Sequence, residues 1–186
     1  MGIYVFHPSI KLLLESALPV LPQMVMENSL SRDIDDLVKS ILPPMKLAVV
    51  DDAQTADAFG KRVFSALKGR FPSAHVTLKG AVQADDETVK HLRAQTLSAD
   101  ALIAVGSGTV SDLCKYVSHL DRKPYIMFPT AASMNGYLSA NASIASRGHK
   151  KTLPAHMPVA VCCDMGVIAA APARMSKSGL GDSLAR

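Results

Sequence analysis

Short apolar runs alternate with segments of helical period along this chain. Gln23 to Glu27 predicts a short strand. Ile34, Leu37, Val38 and Ile41 then recur at i, i+3, i+4 and i+7, the apolar stripe of a helix. Ser31 is placed to cap that helix, Asp33 falls in its first turn, and Pro43 and Pro44 end it. Lys46 to Val50 is nearly continuous in apolar residues, as expected of a parallel strand covered on both faces. Phe59, Val63, Phe64 and Leu67 mark the next helix, and His75 to Leu78 the next strand. Asp85, Asp86 and Glu87 favour a helix start, with Val89, Leu92 and Thr96 facing inward. Ala101 to Val105 is again a buried strand. A glycine turn follows, then a helix carrying Val110, Leu113, Cys114 and Val117, then a strand from Pro124 to Phe128.

Strand and helix in strict alternation predict an α/β fold, a Rossmann-like domain with a mostly parallel sheet. The pattern changes after Pro129. Thr130 to Lys151 is rich in Ala, Ser, Asn and Gly and has no clean period, which predicts a ligand-facing loop with a small strand pair. Val159 to Cys163 is the last predicted strand. Pro172 suits a first helical turn, and Ala173 to Arg186 begins a helix. The expected division is therefore a domain over residues 1–171, with residues 172–186 opening a second, helical domain that continues beyond this chain.

Composition narrows the classes. Hydrophobic residues make up 48% of the 186, enough for a substantial core. No charge-free run of eighteen apolar residues occurs, so no membrane span is expected. Ile10 to Leu21 is apolar, but Glu15 interrupts it and it lacks the flanks of a signal peptide. The net charge of +4 is modest and scattered, so no nucleic-acid partner is expected. Arg147, His149, Lys150 and Lys151 cluster, which predicts a solvated loop. The three cysteines, Cys114, Cys162 and Cys163, form no C-x-x-C pair and sit in apolar surroundings. Reduced core thiols and a cytoplasmic location are the expectation.

Four places could carry chemistry. Gly106, Ser107, Gly108 and Thr109 join a buried strand to a helix, where amides and the helix dipole favour an anion such as a diphosphate. The dinucleotide fingerprint would have a third glycine where this chain has Ser111, so a plain tight turn is the rival reading. Asp51 and Asp52 end a strand, where a carboxylate can accept bonds from ribose hydroxyls or simply cap a helix. Asp52 is the better placed of the two. Pro129 to Ser133 follows another strand end with small residues and two hydroxyls. Gly179 and Gly181 interrupt a helical stretch, at a cost of about 1 kcal/mol each relative to Ala. Close approach of a backbone or ligand would explain them, and Asp182 beside them is a candidate cation ligand. His7, His75, His91, His119, His149 and His156 show no i, i+4 pair and are taken as surface or structural residues.

Val50 to Thr55, Gly106 to Asp112, Pro129 to Gly136 and Ala173 to Asp182, in that order, carry a family resemblance. The chain resembles the glycerol-1-phosphate dehydrogenase branch of the iron-containing alcohol dehydrogenase and dehydroquinate synthase-like superfamily, from about Pro22 to Arg186. The resemblance implies a Rossmann-like domain followed by a helical one, with the active site between them. It implies that Asp52 binds the adenosine ribose of NAD or NADP, and that Gly106, Ser107, Gly108, Thr109 and Asp112 form the diphosphate turn. Thr130 and Ser133 would line the nicotinamide side, and Asp182 would be the first of three ligands to zinc or iron, the other two lying in the helical domain. The implied reaction interconverts glycerol 1-phosphate and dihydroxyacetone phosphate, a small phosphorylated polyol pair, in a homo-oligomer. Asn135 stands in the substrate-facing segment where the family commonly has Asp, keeping the shape and losing the charge. Asp52 leans towards NAD, since its charge would repel a 2′-phosphate. Two rival readings remain: a nucleotide-binding module without catalysis, and a glycerol dehydrogenase or dehydroquinate synthase-like reaction.

Overall fold

The computed structural model of the protein describes residues 22–30 and 33–185. Ser31, the expected helix cap, and the Ile10 to Leu21 segment lie outside the described residues. Among the described residues, eight strands and six helices follow one another. They are β1 (Gln23–Glu27), α1 (Ile34–Ile41), β2 (Leu47–Asp52), α2, β3 (Ser73–Leu78), α3 (Asp86–Gln95), β4 (Ala101–Gly106), α4 (Gly108–Asp121), β5 (Tyr125–Pro129), β6 (Asn141–Ser146), β7 (His149–Pro154), β8 (Ala160–Asp164), α5 (Met165–Ala170) and α6 (Ala173–Leu184). Helix α2 is composite: Ala53–Thr55, a π-helical stretch Ala56–Gly60, then Lys61–Leu67. No helix among the described residues is long and apolar enough to cross a membrane.

Six strands form one wholly parallel sheet in the order β1-β8-β5-β4-β2-β3. Strands β2, β4 and β5 are almost entirely buried, which is why their sequences are near-continuous apolar runs. Side chains alternate between two cores. Leu47, Val49, Ile103 and Phe128 meet α1 and α2 on one face, through Ile34, Val38, Phe59 and Val63. Ala48, Val50, Leu102 and Met127 meet α3 and α4 on the other, through Val89, Leu92, Leu113 and Val117. Each fully buried side chain of this size contributes roughly 1.5–3 kcal/mol.

Helix ends follow local chemistry. The Asp85 carboxylate accepts the Thr88 N–H at 2.8 Å and starts α3. Asp33 is the cap residue of α1 rather than a member of its first turn. Strand β5 starts one residue later than expected and runs through Pro129. The Thr130 to Lys151 region does hold the strand pair, but β7 runs on to Pro154. Arg147 and His149 to Lys151 are exposed as expected, on a hairpin turn and β7 rather than in a loop. Helix α5, one and a half turns after β8, has no apolar stripe to announce it and is absent from the sequence reading.

The winding sets the site. From β2 the chain moves outward to β3, then crosses over β2 to β4 on its other side. The connecting helices change face at that crossing, α2 on one side and α3 with α4 on the other. In open α/β sheets the carboxyl ends of two such strands border a crevice. Here those ends are Asp52 and Gly106.

Candidate functional site

A cleft of about 670 Å³ opens at the carboxyl ends of the sheet strands. Its walls include Asn28 after β1, Asp52 at the end of β2, Ser107 after β4, Thr130 after β5 and Asp164 at the end of β8. Arg62 and Arg174 border it from α2 and α6. A similar volume at the opposite end of the sheet, lined by His119, Arg122, Lys123 and His156, is shallower and lies away from the strand carboxyl ends.

The glycine turn delivers the start of α4 to this cleft. Gly106 must be glycine, since a Cβ there would stand 2.6 Å from the Val110 Cβ. Ser107 occupies the cap position of α4 without a side-chain cap bond. The first-turn amides of a fourteen-residue helix therefore face outward beside the cleft, with the positive end of the dipole behind them. Gly108 packs near Met134, whose Sδ would be 3.3 Å from an added Cβ. This donor set fits the diphosphate of a dinucleotide.

Asp52 combines the two roles considered for it. Its Oδ1 accepts the Gln54 and Thr55 amides at 3.0 and 2.8 Å, and Thr55 Oγ1 accepts the Asp52 N–H at 3.0 Å, a complete capping box at the start of α2. The same side chain lines the cleft. Asp51 points elsewhere: it is fully buried, and its Oδ2 lies 2.6 Å from His75 Nε2.

Thr130 is buried, and its amide donates to the Gly106 carbonyl at 2.9 Å, so the two strand ends are tied together. Ser133 lies 3.1 Å from the Tyr137 hydroxyl, which donates to the Ala131 carbonyl at 2.8 Å. Burial raises the Tyr137 hydroxyl above the usual tyrosine range, so it keeps its proton and remains a donor. Asn135 donates its backbone N–H to Asp182 Oδ2 and its side-chain N–H to the Asp182 carbonyl. Gly179 explains the helical glycine, because a Cβ there would stand 2.1 Å from the Ala132 carbonyl oxygen. Gly181 has nothing within 4 Å of an added Cβ, so close approach does not account for it.

Asp52, Ser107 and Thr130 thus meet at one cleft, and Asn135 and Asp182 meet each other. Asp112 faces away from the glycine turn. It sits beside Lys115, the Ser143 amide and Lys150, towards β6 and β7, and burial raises its carboxyl while Lys115 opposes that shift. Asp182 does not complete a metal site. Among the described residues no three His, Cys, Asp or Glu side chains are grouped to hold a metal ion. Burial raises all three thiols, so none is an activated nucleophile.

Asp164 escaped the sequence reading. It is 2% exposed, its Oδ1 accepts the Val167 N–H at 3.0 Å and its Oδ2 accepts the Leu30 N–H at 3.0 Å. One carboxylate therefore caps α5 and pins the segment after β1 against the cleft. The signal was available, because Asp164 ends a buried strand just as Asp52 does.

The chain matches the sequence model of a family described as iron-containing alcohol dehydrogenase over residues 25–172. It is 33% identical over 165 residues to a glycerol-1-phosphate dehydrogenase (NAD(P)+) of Bacillus licheniformis, covering 86% of this chain and 41% of that one. A protein of the same name from Methanospirillum hungatei is 33% identical over 149 residues, 80% of this chain and 41% of that one. The chain thus spans about two fifths of the length of these relatives. Among solved structures, glycerol dehydrogenase from Schizosaccharomyces pombe is similar with a TM-score of 0.74 and 25% identity, over 88% of this chain and 42% of that one.

Proposed function

The chain belongs to the iron-containing alcohol dehydrogenase family, and from that premise we propose that it is the cofactor-binding portion of an NAD(P)-dependent polyol-phosphate dehydrogenase. The observation that carries this reading is the uncapped N-terminus of α4 opening on the cleft that Asp52 and Thr130 share. On this reading residues 1–171 form the cofactor domain, and 172–186 open a second, helical domain. The substrate pair, glycerol 1-phosphate and dihydroxyacetone phosphate, rests on the names of the relatives.

A bound nicotinamide dinucleotide supplies the hydride acceptor and donor. The chain's residues supply position. The amides of Ser107 to Thr109 hold the diphosphate, the Asp52 carboxylate accepts from the adenosine ribose, and Thr130 and Ser133 border the nicotinamide side. Asn135 faces substrate from the loop after β5. Its backbone N–H and one of its two side-chain N–H bonds are engaged by Asp182, and a side-chain amide has no ionisable proton to relay. A zinc or iron site does not fit this chain alone, because Asp182 is a single carboxylate and three protein ligands are the usual requirement. On this reading the chain by itself binds cofactor without turnover.

Fluorescence titration with NADH and NADPH tests the reading. We expect saturable binding of at least one, and a loss of at least about tenfold in affinity in Gly106→Ala, whose Cβ displaces the diphosphate turn. Failure to bind either dinucleotide would remove the cofactor assignment. Turnover of glycerol 1-phosphate by the chain alone would show that the metal reading is wrong.

A further inference from the structure

Lys115 lies two turns into α4 and is fully buried. Its ammonium donates to the Gly136 carbonyl at 2.8 Å, to Ser139 Oγ at 3.0 Å and to the Asn141 carbonyl at 3.2 Å. An ammonium has three N–H bonds and no acceptor, so these three oxygens satisfy it completely. The Asp112 carboxylate, one turn earlier, stands 3.9 Å away and offsets the charge. Burial lowers the Lys115 ammonium below the usual lysine range, and Asp112 opposes that shift. A charge taken out of water persists when it is paired and fully hydrogen-bonded, and both conditions hold here.

The three acceptors have something in common. They span the segment from Gly136 to Asn141, between the loop after β5 and the start of β6. That segment has little regular structure of its own beyond a turn in which the Ser139 amide donates to the Gly136 carbonyl at 3.1 Å. Gly136 directly follows Asn135, and Asn135 is the residue that grips Asp182 through two hydrogen bonds. A continuous chain of contacts therefore runs from α4 through Lys115 to Gly136, then Asn135, then Asp182 on α6. Helix α4 is the element whose other end opens on the cleft.

We infer that Lys115 is a positioning residue of this site, its ammonium fixing the Gly136–Asn141 segment so that Asn135 meets Asp182 at a set place relative to the start of α4. This deepens the cofactor-domain reading and rests on it for the ligand concerned. Lysine suits the task better than its neighbours in size. Methionine fills the volume but gives the three oxygens no donor, and the planar fork of arginine does not present three converging donors to a compact pocket. Ser111, Lys115 and Ser118 stand at i, i+4 and i+7 and make an inward polar stripe on a helix that is otherwise apolar inward.

Amide hydrogen exchange by NMR on wild type and Lys115→Met is the test. The Asn135 amide is expected to exchange at least about tenfold faster in the variant, as for a local opening, while amides of β2 and β4 stay within about twofold. A uniform loss across the sheet, or an unchanged Asn135 amide, overturns the inference. Should Lys115→Met fail to fold, the wild type still decides. Slowly exchanging ammonium protons with hydrogen-bond couplings to the Gly136 and Asn141 carbonyl carbons support it, and a rapidly exchanging, uncoupled ammonium overturns it. NADH and ADP give the ligand readout. The variant should lose fluorescence enhancement of the nicotinamide while binding ADP within about twofold of wild type, since the diphosphate turn is untouched. Unchanged NADH fluorescence in the variant overturns the inference. A wild type that binds neither NADH nor ADP sinks the cofactor reading instead, and leaves the exchange result standing by itself.

Discussion

The backbone N–H of Asn135 donates to the Asp182 carboxylate at 2.9 Å, and its side-chain amide donates to the Asp182 carbonyl at 3.0 Å. One loop residue thereby fastens the last turns of α6 to the sheet domain. Asparagine is suited to this where aspartate is not. A carboxylate at 135 would face the carbonyl oxygen with no proton to offer. Asn135→Asp should weaken the docking of α6 by about 1 kcal/mol, the usual net value of one hydrogen bond. Trypsin cleavage at Lys177, within α6, is then expected to speed up roughly fivefold, as a helix that opens more often is cut more often. An unchanged cleavage rate would mean that the pair contributes nothing to docking.

The two glycines of α6 should respond in opposite directions to the same change. Gly179→Ala places a methyl 2.1 Å from the Ala132 carbonyl oxygen, so helix or loop must move, at roughly 1–3 kcal/mol. Gly181→Ala meets nothing within 4 Å and should gain up to about 1 kcal/mol from helix propensity. Urea denaturation of the two variants measures both. Equal effects would contradict the contact at Gly179.

Asp164 should matter more to stability than its place at a strand end would imply. Asp164→Ala leaves the buried Leu30 and Val167 amides without their acceptor, at a cost of roughly 2–4 kcal/mol for the two. Asp164→Asn keeps one acceptor and should cost less than half as much. Chemical denaturation orders the three proteins, and a neutral Asp164→Ala would remove the proposed link between β1 and α5.

His156 predicts the slope of stability with pH. Burial lowers its imidazole below the usual histidine range, and the neighbouring His119 lowers it further. Folding therefore releases a proton between the folded value and the ordinary value of 6.5. The contribution is fully present above pH 6.5 and is lost as pH falls from there through the folded value. Melting at pH 5.5 should thus occur below melting at pH 7.5, and His156→Gln should shrink the gap by on the order of 1–2 °C. An identical gap in the variant would exclude His156 as the group responsible.

Much of the sheet was legible because strands such as Ala101–Gly106 are buried on both faces and carry no competing period. Helix α4 was legible for the opposite reason, since Val110, Leu113, Cys114 and Val117 repeat on one side. The cleft residues Asp52, Ser107 and Thr130 were legible because strand ends and glycine turns leave local marks. Helix α5 was not, because six residues give less than two turns and only Val167 is buried. Lys115 was invisible for a different reason. Its partners at Gly136 and Asn141 are carbonyls of the main chain, more than twenty residues away, and main-chain acceptors have no identity that a sequence can display. The π-helical stretch in α2 is equally silent, as it changes hydrogen bonding and not residue type.

The crossing of the chain from β3 over β2 to β4 has a consequence for how such a protein can vary. The slot it leaves is produced by the route of the main chain, so point substitutions cannot abolish it without undoing the winding itself. Evolution can therefore exchange the side chains around the rim, and with them the preferred guest, while the opening survives every such exchange.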